Sequence, residues 1–271
     1  MKKWVKVCSI LAIGGIIGSG LFFTANGSAD EEKAYIPDSK VRETLISFIE
    51  NSEEGALVEN ELPTISQLEK LDSYINVHGD QIRSLEGMEH LKNVKELQAV
   101  QLTNVMDYRP ISGMTSLEWL NLYQPSSNLE GINETSLSFV KELKQLKAFQ
   151  AANFNTFDLT PFNELEHLTT ISISGNEYRT DIPQMISKTT RQVEIINPVR
   201  LSKQFDGAQI EVEAYDGQRQ LDPSYENGVI VVPDIDIQST TIEIRVSANN
   251  SSSTGEYVYS TMFTIPLRWK D

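Results

Sequence analysis

Trp119, Asn121 and Tyr123 alternate with Leu120 and Leu122 in one five-residue segment. On a strand, a period of two puts both leucines on one face and the other three residues on the opposite face. Two large aromatics flanking an amide suit non-covalent recognition. The rings offer apolar area at little cost in rotamer entropy, and the amide offers a donor and an acceptor between them. The same alternation occurs at Tyr74, Asn76 and His78, at Glu96, Gln98 and Val100, at Ala148, Gln150 and Ala152, and at Thr170, Ser172 and Ser174. Of these, Trp119, Asn121, Tyr123, Gln98, Val100, Asn76, His78, Gln150 and Ser172 are expected to form one partner-binding face. A competing use of Trp119 and Tyr123 stays open: they pack against residues 126–135.

Catalytic chemistry is poorly served. The chain has no phosphate-cradling glycine loop, no Gly-x-Ser-x-Gly elbow, no His-Glu-x-x-His and no calcium loop of the EF-hand type. His78, His90 and His167 fall in different segments, and His90 and His167 sit beside Leu91 and Leu168 on what should be the far side of the sheet. They read as solvated residues. Carboxylates are plentiful, but no spacing singles out a pair. A non-enzyme without cofactor or metal is the expectation.

The elements that would position these residues recur. The segments Tyr74-Ile75-Asn76-Val77, Glu96-Leu97-Gln98-Ala99, Trp119-Leu120-Asn121-Leu122, Ala148-Phe149-Gln150-Ala151 and Thr170-Ile171-Ser172-Ile173 end at 77, 99, 122, 151 and 173, in steps of 22, 23, 29 and 22 residues. Ahead of each later segment stand apolar residues at spacing three: Met88, Leu91 and Val94; Ile111, Met114 and Leu117; Val140, Leu143 and Leu146; Phe162, Leu165 and Leu168. Spacing three suits a helical or 3₁₀ turn and the final spacing of two suits a strand. One unit cannot bury its own apolar face, so units stack and their strands form a parallel sheet. This is a leucine-rich-repeat solenoid of about five strands, assigned to residues 72–186. Asp107-x-x-Pro110 and Asp158-x-x-Pro161 repeat as turns, in which Asp bonds the backbone two residues on. The 29-residue step carries an insertion beginning Pro125-Ser126-Ser127.

Residues 30–71 read as a helical cap for the open end of the stack. Asp38 is a candidate N-cap for a helix burying Val41, Leu45, Phe48 and Ile49, and Ile65, Leu68 and Leu71 mark a second, shorter helix. Residues 1–29 read as a signal peptide: Lys2, Lys3 and Lys6, an uncharged run from Val7 to Phe23, then Asn26-Gly27-Ser28-Ala29. An uncleaved membrane anchor is the alternative. The single cysteine, Cys8, lies in the leader, so the exported chain contains no disulfide. A cysteine-free export product suits a Gram-positive surface. The net charge is −15, near −18 once three leader lysines are removed. Such charge repels nucleic acid and anionic membranes, so the membrane is met only through an uncleaved leader.

From residue 187 the period of three gives way to β-branched or alternating runs at 193–196, 209–214, 229–232, 241–246 and 257–267. Asp206-Gly207, Asp216-Gly217, Asn227-Gly228 and Asn249-Asn250-Ser251 are turn signals between them. Residues 187–271 are expected to form an all-β, Ig-like sandwich acting as spacer and cap. Arg268-Trp269-Lys270-Asp271 shows no wall-sorting tail. Release, non-covalent retention or an uncleaved leader is therefore expected.

The opening Ile36-Pro37-Asp38, the stretch Ile82-Arg83-Ser84-Leu85-Glu86-Gly87-Met88 and the Asp-x-x-Pro turns resemble the internalin family of bacterial leucine-rich-repeat proteins. The layout is similar to the small secreted internalins. The resemblance implies a monomeric secreted or surface protein that binds another protein, often a host protein, through its concave face in host interaction or adhesion. A structural role among bacterial envelope proteins is the alternative, and glycan binding by the aromatic patch is a third reading. The family's turn asparagine is kept clearly only at Asn176; Leu102, Pro125 and Phe154 occupy the comparable places. An irregular, short arc is expected.

Overall fold

The computed structural model describes residues 32–52, 62–72, 74–125, 134–253 and 255–271. The expected leader and most of the insertion at 126–135 lie outside them. The protein is β-rich with few helices. Residues Glu32–Asp271 form one compact unit. Among the described residues no helix is long and apolar enough to cross a membrane.

Helix α1 (Ser39–Glu50) starts where Asp38 allows it: Asp38 Oδ1 accepts from Lys40 N at 3.0 Å and from Val41 N at 3.3 Å. These bonds satisfy amides that have no partner inside the helix. Val41, Leu45 and Ile49 are buried, whereas Phe48 is only partly so. Helix α2 (Ile65–Glu69) is opened by a capping box between Thr64 and Gln67. Leu71 lies past its end and is still buried.

Five parallel strands follow: β1 (Tyr74–His78), β2 (Glu96–Val100), β3 (Trp119–Tyr123), β4 (Ala148–Ala152) and β5 (Thr170–Arg179). Between consecutive strands lie 3₁₀ turns at Met88–His90, Arg109–Gly113, Ser138–Glu142 and Thr160–Glu164. The turn aspartates act locally, Asp107 Oδ1 accepting from Arg109 N at 2.9 Å and Asp158 Oδ1 from Thr160 N at 3.0 Å. One face of each strand joins these turns in a single core, with Leu97, Leu120, Phe149 and Ile171 at or below 2% exposure. Burying a side chain of this size contributes about 1.5–3 kcal/mol, so the stack is held by neighbours rather than by any one unit.

The C-terminal strands are β6 (Gln184–Ser187), β7 (Val193–Ile196), β8 (Gln209–Asp216), β9 (Arg219–Leu221), β10 (Ser224–Glu226), β11 (Val229–Val232), β12 (Thr241–Ser252) and β13 (Gly255–Lys270). Strand β13 pairs parallel with β5, so one ten-stranded sheet runs β1-β2-β3-β4-β5-β13-β12-β8-β9, with β6 also on β13. A three-stranded sheet, β10-β11-β7, packs on its end over a core containing Val193, Ile230 and Val232 from one side and Ala214, Ile244 and Phe263 from the other. Asn227 (φ 51°) and Gly228 (φ 80°) make the two-residue turn between β10 and β11, a left-handed pair that asparagine and glycine tolerate.

Asn249-Asn250-Ser251 is strand rather than turn, since β12 runs on to Ser252 and pairs with β13 throughout. The physical reason is a competing use of the side chain: Asn250 Nδ2 donates to Gln204 O at 2.8 Å, tying the strand to a 3₁₀ turn at Lys203–Phe205.

Asp216 closes the far end of the sheet. Its side chain is 1% exposed, bonded to Arg219 Nε at 3.0 Å and Nη2 at 2.5 Å, and it accepts from Asp236 N at 2.8 Å. Burial by itself would push this carboxyl up, but the bonds from Arg219 and Asp236 and the guanidinium charge outweigh that and hold it below the usual range. A depressed native value means stability that is complete above about pH 4 and is lost as pH falls through the native value. Asp216→Asn is expected to cost about 2 kcal/mol at neutral pH, the cost of breaking a buried pair reduced because Arg219 is half exposed. Urea melts at pH 7 and below pH 3 check this: the gap between wild type and variant should shrink in acid.

Candidate binding face

The strand face turned away from the 3₁₀ core carries three columns set by register. The first runs Tyr74, Glu96, Trp119, Ala148, Thr170 and on to Glu256. The second runs Asn76, Gln98, Asn121, Gln150, Ser172 and Val258. The third runs His78, Val100, Tyr123, Ala152 and Ser174. Parallel pairing without slippage keeps each column in line, at about 4.8 Å per strand. All nine residues of the expected partner-binding face therefore stand on one face of one sheet.

Trp119 is 51% exposed and Tyr123 43%. Neither ring meets another aromatic ring, and neither polar tip bonds to the protein, among the described residues. They lie about 13 Å apart along β3, with Asn121 between them. Tyr74, 40% exposed, donates from its hydroxyl to Gln98 Oε1 at 2.6 Å, which orients that amide. Asn76 Oδ1 is buried and has no hydrogen-bond partner among the described residues. Asn121, Gln150 and Ser172 are half-buried, and their side chains make no bond within the described residues. The middle column thus holds four amides, of which Asn121 and Gln150 make no side-chain bond within the described residues.

Ala148 differs from the expectation that its column is exposed: it is 2% exposed, a methyl lying in register between Trp119 and Thr170. Beside it, Glu118 and Lys147, the residues just ahead of β3 and β4, pair at 2.5 Å, and the hydrogen bond from Lys147 holds the Glu118 carboxyl below its usual range. His90 is half-buried next to Glu89, with 3.9 Å between His90 Nε2 and Glu89 Oε1, and His167 is exposed.

Sequence reasoning missed the extension of this face onto β13, β12 and β8, where Val258, Asn249 and Gln209 continue the middle column. The alternation of Glu256, Val258 and Ser260 with buried Tyr259 and Thr261 is a strand signal, but it does not say which strand is the neighbour. Also missed was a cavity of about 620 Å³ beyond the C-terminal ends of β2–β4, lined by Leu102, Tyr108, Gln124, Phe139, Asn153 and Phe154 among others.

No family model matches the chain, and no curated protein matches it. Among solved structures, the chain is similar to the structure of the CBM51-2 and INT domains of Clostridium perfringens ZmpB, at 14% identity and a TM-score of 0.30, covering 87% of this chain. It spans 37% of the length of that structure. Internalin C2 of Listeria monocytogenes is 19% identical, with a TM-score of 0.26, over 54% of this chain and 77% of that one. An internalin-like protein of Listeria monocytogenes is 9% identical, with a TM-score of 0.28, over 84% and 96%.

Proposed function

We propose that this protein is a non-enzymatic, secreted or surface-exposed bacterial protein that binds a protein partner on the open face of a leucine-rich-repeat arc. Its C-terminal Ig-like sandwich serves as rigid spacer and cap. The observation that carries the reading is the state of Trp119 and Tyr123, two large rings half exposed on a rigid sheet with no bonding partner of their own. Large aromatics held this way are the residues on which interfaces concentrate their energy. The in-register strands at steps of 22 to 29 residues, each following a 3₁₀ turn, support the repeat assignment. The basic and apolar leader composition supports export, and the acidic charge disfavours nucleic acid.

The test replaces Tyr123 by a photoreactive phenylalanine and illuminates the purified protein in host-cell extracts and in bacterial wall fractions. An adduct that excess unlabelled protein suppresses, and that Trp119→Ala protein does not, supports binding at this face. Its source separates host interaction from envelope organisation. Adducts insensitive to unlabelled protein overturn the reading.

A further inference from the structure

Gln98, Asn121 and Gln150 stand in register on the adjacent strands β2, β3 and β4. Their sequence neighbours Leu97, Ala99, Leu120, Leu122, Phe149 and Ala151 fill the core at 4% exposure or less. Strand alternation therefore puts the three amides on the open side, where they are half-buried. Asn121 and Gln150 make no side-chain bond within the described residues, and Gln98 uses only its Oε1, which accepts from the Tyr74 hydroxyl. A carboxamide presents an N–H donor beside a C=O acceptor, the same two groups that a peptide unit presents. Strand spacing sets Gln98 and Gln150 about 9.6 Å apart, and three residues of extended chain cover about 10 Å. A helix satisfies its backbone groups internally and has none to offer such a column, whereas an extended chain has all of them free.

The charge of the face selects among such chains. Across β1–β5 the three columns contain no lysine or arginine, and their one carboxylate is Glu96. Glu96 is exposed, makes no ion pair among the described residues, and lies in register with Trp119, itself 51% exposed. The first column ends on a second carboxylate, Glu256 of β13. We propose that the partner is an extended segment of polypeptide carrying lysine or arginine, held by its backbone across Gln98, Asn121 and Gln150; this rests on the reading of the open face as a protein-binding surface. An extended chain sends alternate side chains to its two sides, so every second residue passes over the first column. A lysine or arginine there reaches the Glu96 carboxylate and the Trp119 ring together, adding a cation–π contact to the charge pair. The formal charge of −15 favours a cationic partner at longer range as well. Backbone bonds supply affinity in this mode, and the side chains beside them supply selectivity.

The test selects short random peptides, displayed on phage, for binding to the purified protein and for release by Trp119→Ala protein. The recovered peptides are expected to be enriched in lysine and arginine and depleted in aspartate and glutamate. A synthetic copy of the strongest should bind at least about tenfold more weakly to the double variant Asn121→Ala with Gln150→Ala, the worth of the hydrogen bonds removed. Glu96→Gln should weaken it less and flatten the dependence of its affinity on salt. Methylating the backbone N–H groups of the peptide one at a time leaves every side chain in place, and at the positions over the column it should cost about tenfold. This scan uses the unaltered protein, so it decides even if the amide variants do not fold. Recovery of no Trp119-dependent peptide, an acidic selection, or tolerance of methylation at every position overturns the proposal. If the Tyr123 adduct still forms in extracts, those outcomes remove the extended chain alone; if it does not, the reading of the open face falls with it.

Discussion

Asn176→Ala is expected to destabilise the protein by about 3 kcal/mol or more, the cost of leaving two buried amides unpaired. Asn176 is 1% exposed, and its Oδ1 accepts from both Phe154 N and Asn155 N at 3.1 Å. The groups around it are equally cut off from water: Asn155, Thr156 and Tyr259 are fully buried and Thr261 nearly so. The knot spans the junction between the five-strand stack and β13. Tyr259 Oη donates to Thr156 O at 2.9 Å, Thr261 Oγ1 to Asn176 O at 3.4 Å, and Glu177 N to Asn155 Oδ1 at 3.0 Å. It already contains two unpaired buried atoms, Asn155 Nδ2 and Thr156 Oγ1, and the Asn155 Nδ2 donor offers no acceptor to the two amides freed when the Asn176 carboxamide is gone. A water entering the vacated space would recover part of the loss, which sets the estimate at the lower end for two orphaned amides. For a chain of this size the melting temperature should fall by about 6–12 °C.

Asn104→Ala provides the comparison. Asn104 Nδ2 also bonds a backbone carbonyl of the preceding unit, Asp80 O, at 2.5 Å, but Asn104 is exposed and water replaces the bond. Its loss should cost less than about 1 kcal/mol. Equal losses for the two variants, measured by urea unfolding, would show that the knot is not what holds the junction.

What could be read beforehand follows the range of the forces involved. The strand segments were legible because the alternation is local and recurs in five segments at steps of 22 to 29 residues. Asp38, Asp107 and Asp158 were legible because their bonds reach two or three residues along the chain. Residues 193–196 and 229–232 were placed as strands with the bounds they have. The pairing of β13 with β5 was not legible, since it joins Thr261 to Asn176 across 85 residues and nothing local encodes a partner so distant. Asn249-Asn250-Ser251 misled for the same reason: a turn-forming composition was overruled by Asn250 bonding a carbonyl 46 residues away. Of the candidate face, the alternating residues and their common side were legible, but the burial of Ala148 and the alignment of Asn76, Gln98, Asn121 and Gln150 in one column depend on strand register. Gln124 gave no signal, because only the fold brings a glutamine after a strand to the lining of a cavity beside Tyr108, Phe139 and Phe154.

The double replacement Trp119→Ala with Tyr123→Ala is expected to weaken partner binding by more than about 2 kcal/mol, roughly thirtyfold or more in Kd, while leaving the melting temperature almost unchanged. The two halves of this expectation come from the same geometry. Exposures of 51% and 43% leave about half of each ring already in water, and neither side chain leaves a broken hydrogen bond behind. Surface changes of that kind shift stability by about 0.5 kcal/mol or less. In a complex the same rings would be covered on a sheet held rigid from behind by Leu120 and Leu122, each 1% exposed, so little ordering opposes their burial. The two rings stand about 13 Å apart along β3, far enough for their contributions to add. Tyr74→Phe should behave differently, because it releases the Gln98 amide from its 2.6 Å bond and so perturbs the middle column without removing an aromatic. Thermal melts and a binding titration on the same preparations separate the alternatives. A large loss of melting temperature in the double variant would mean that the rings pack against the insertion at 126–135. Unchanged binding with unchanged stability would move the interface off the open face.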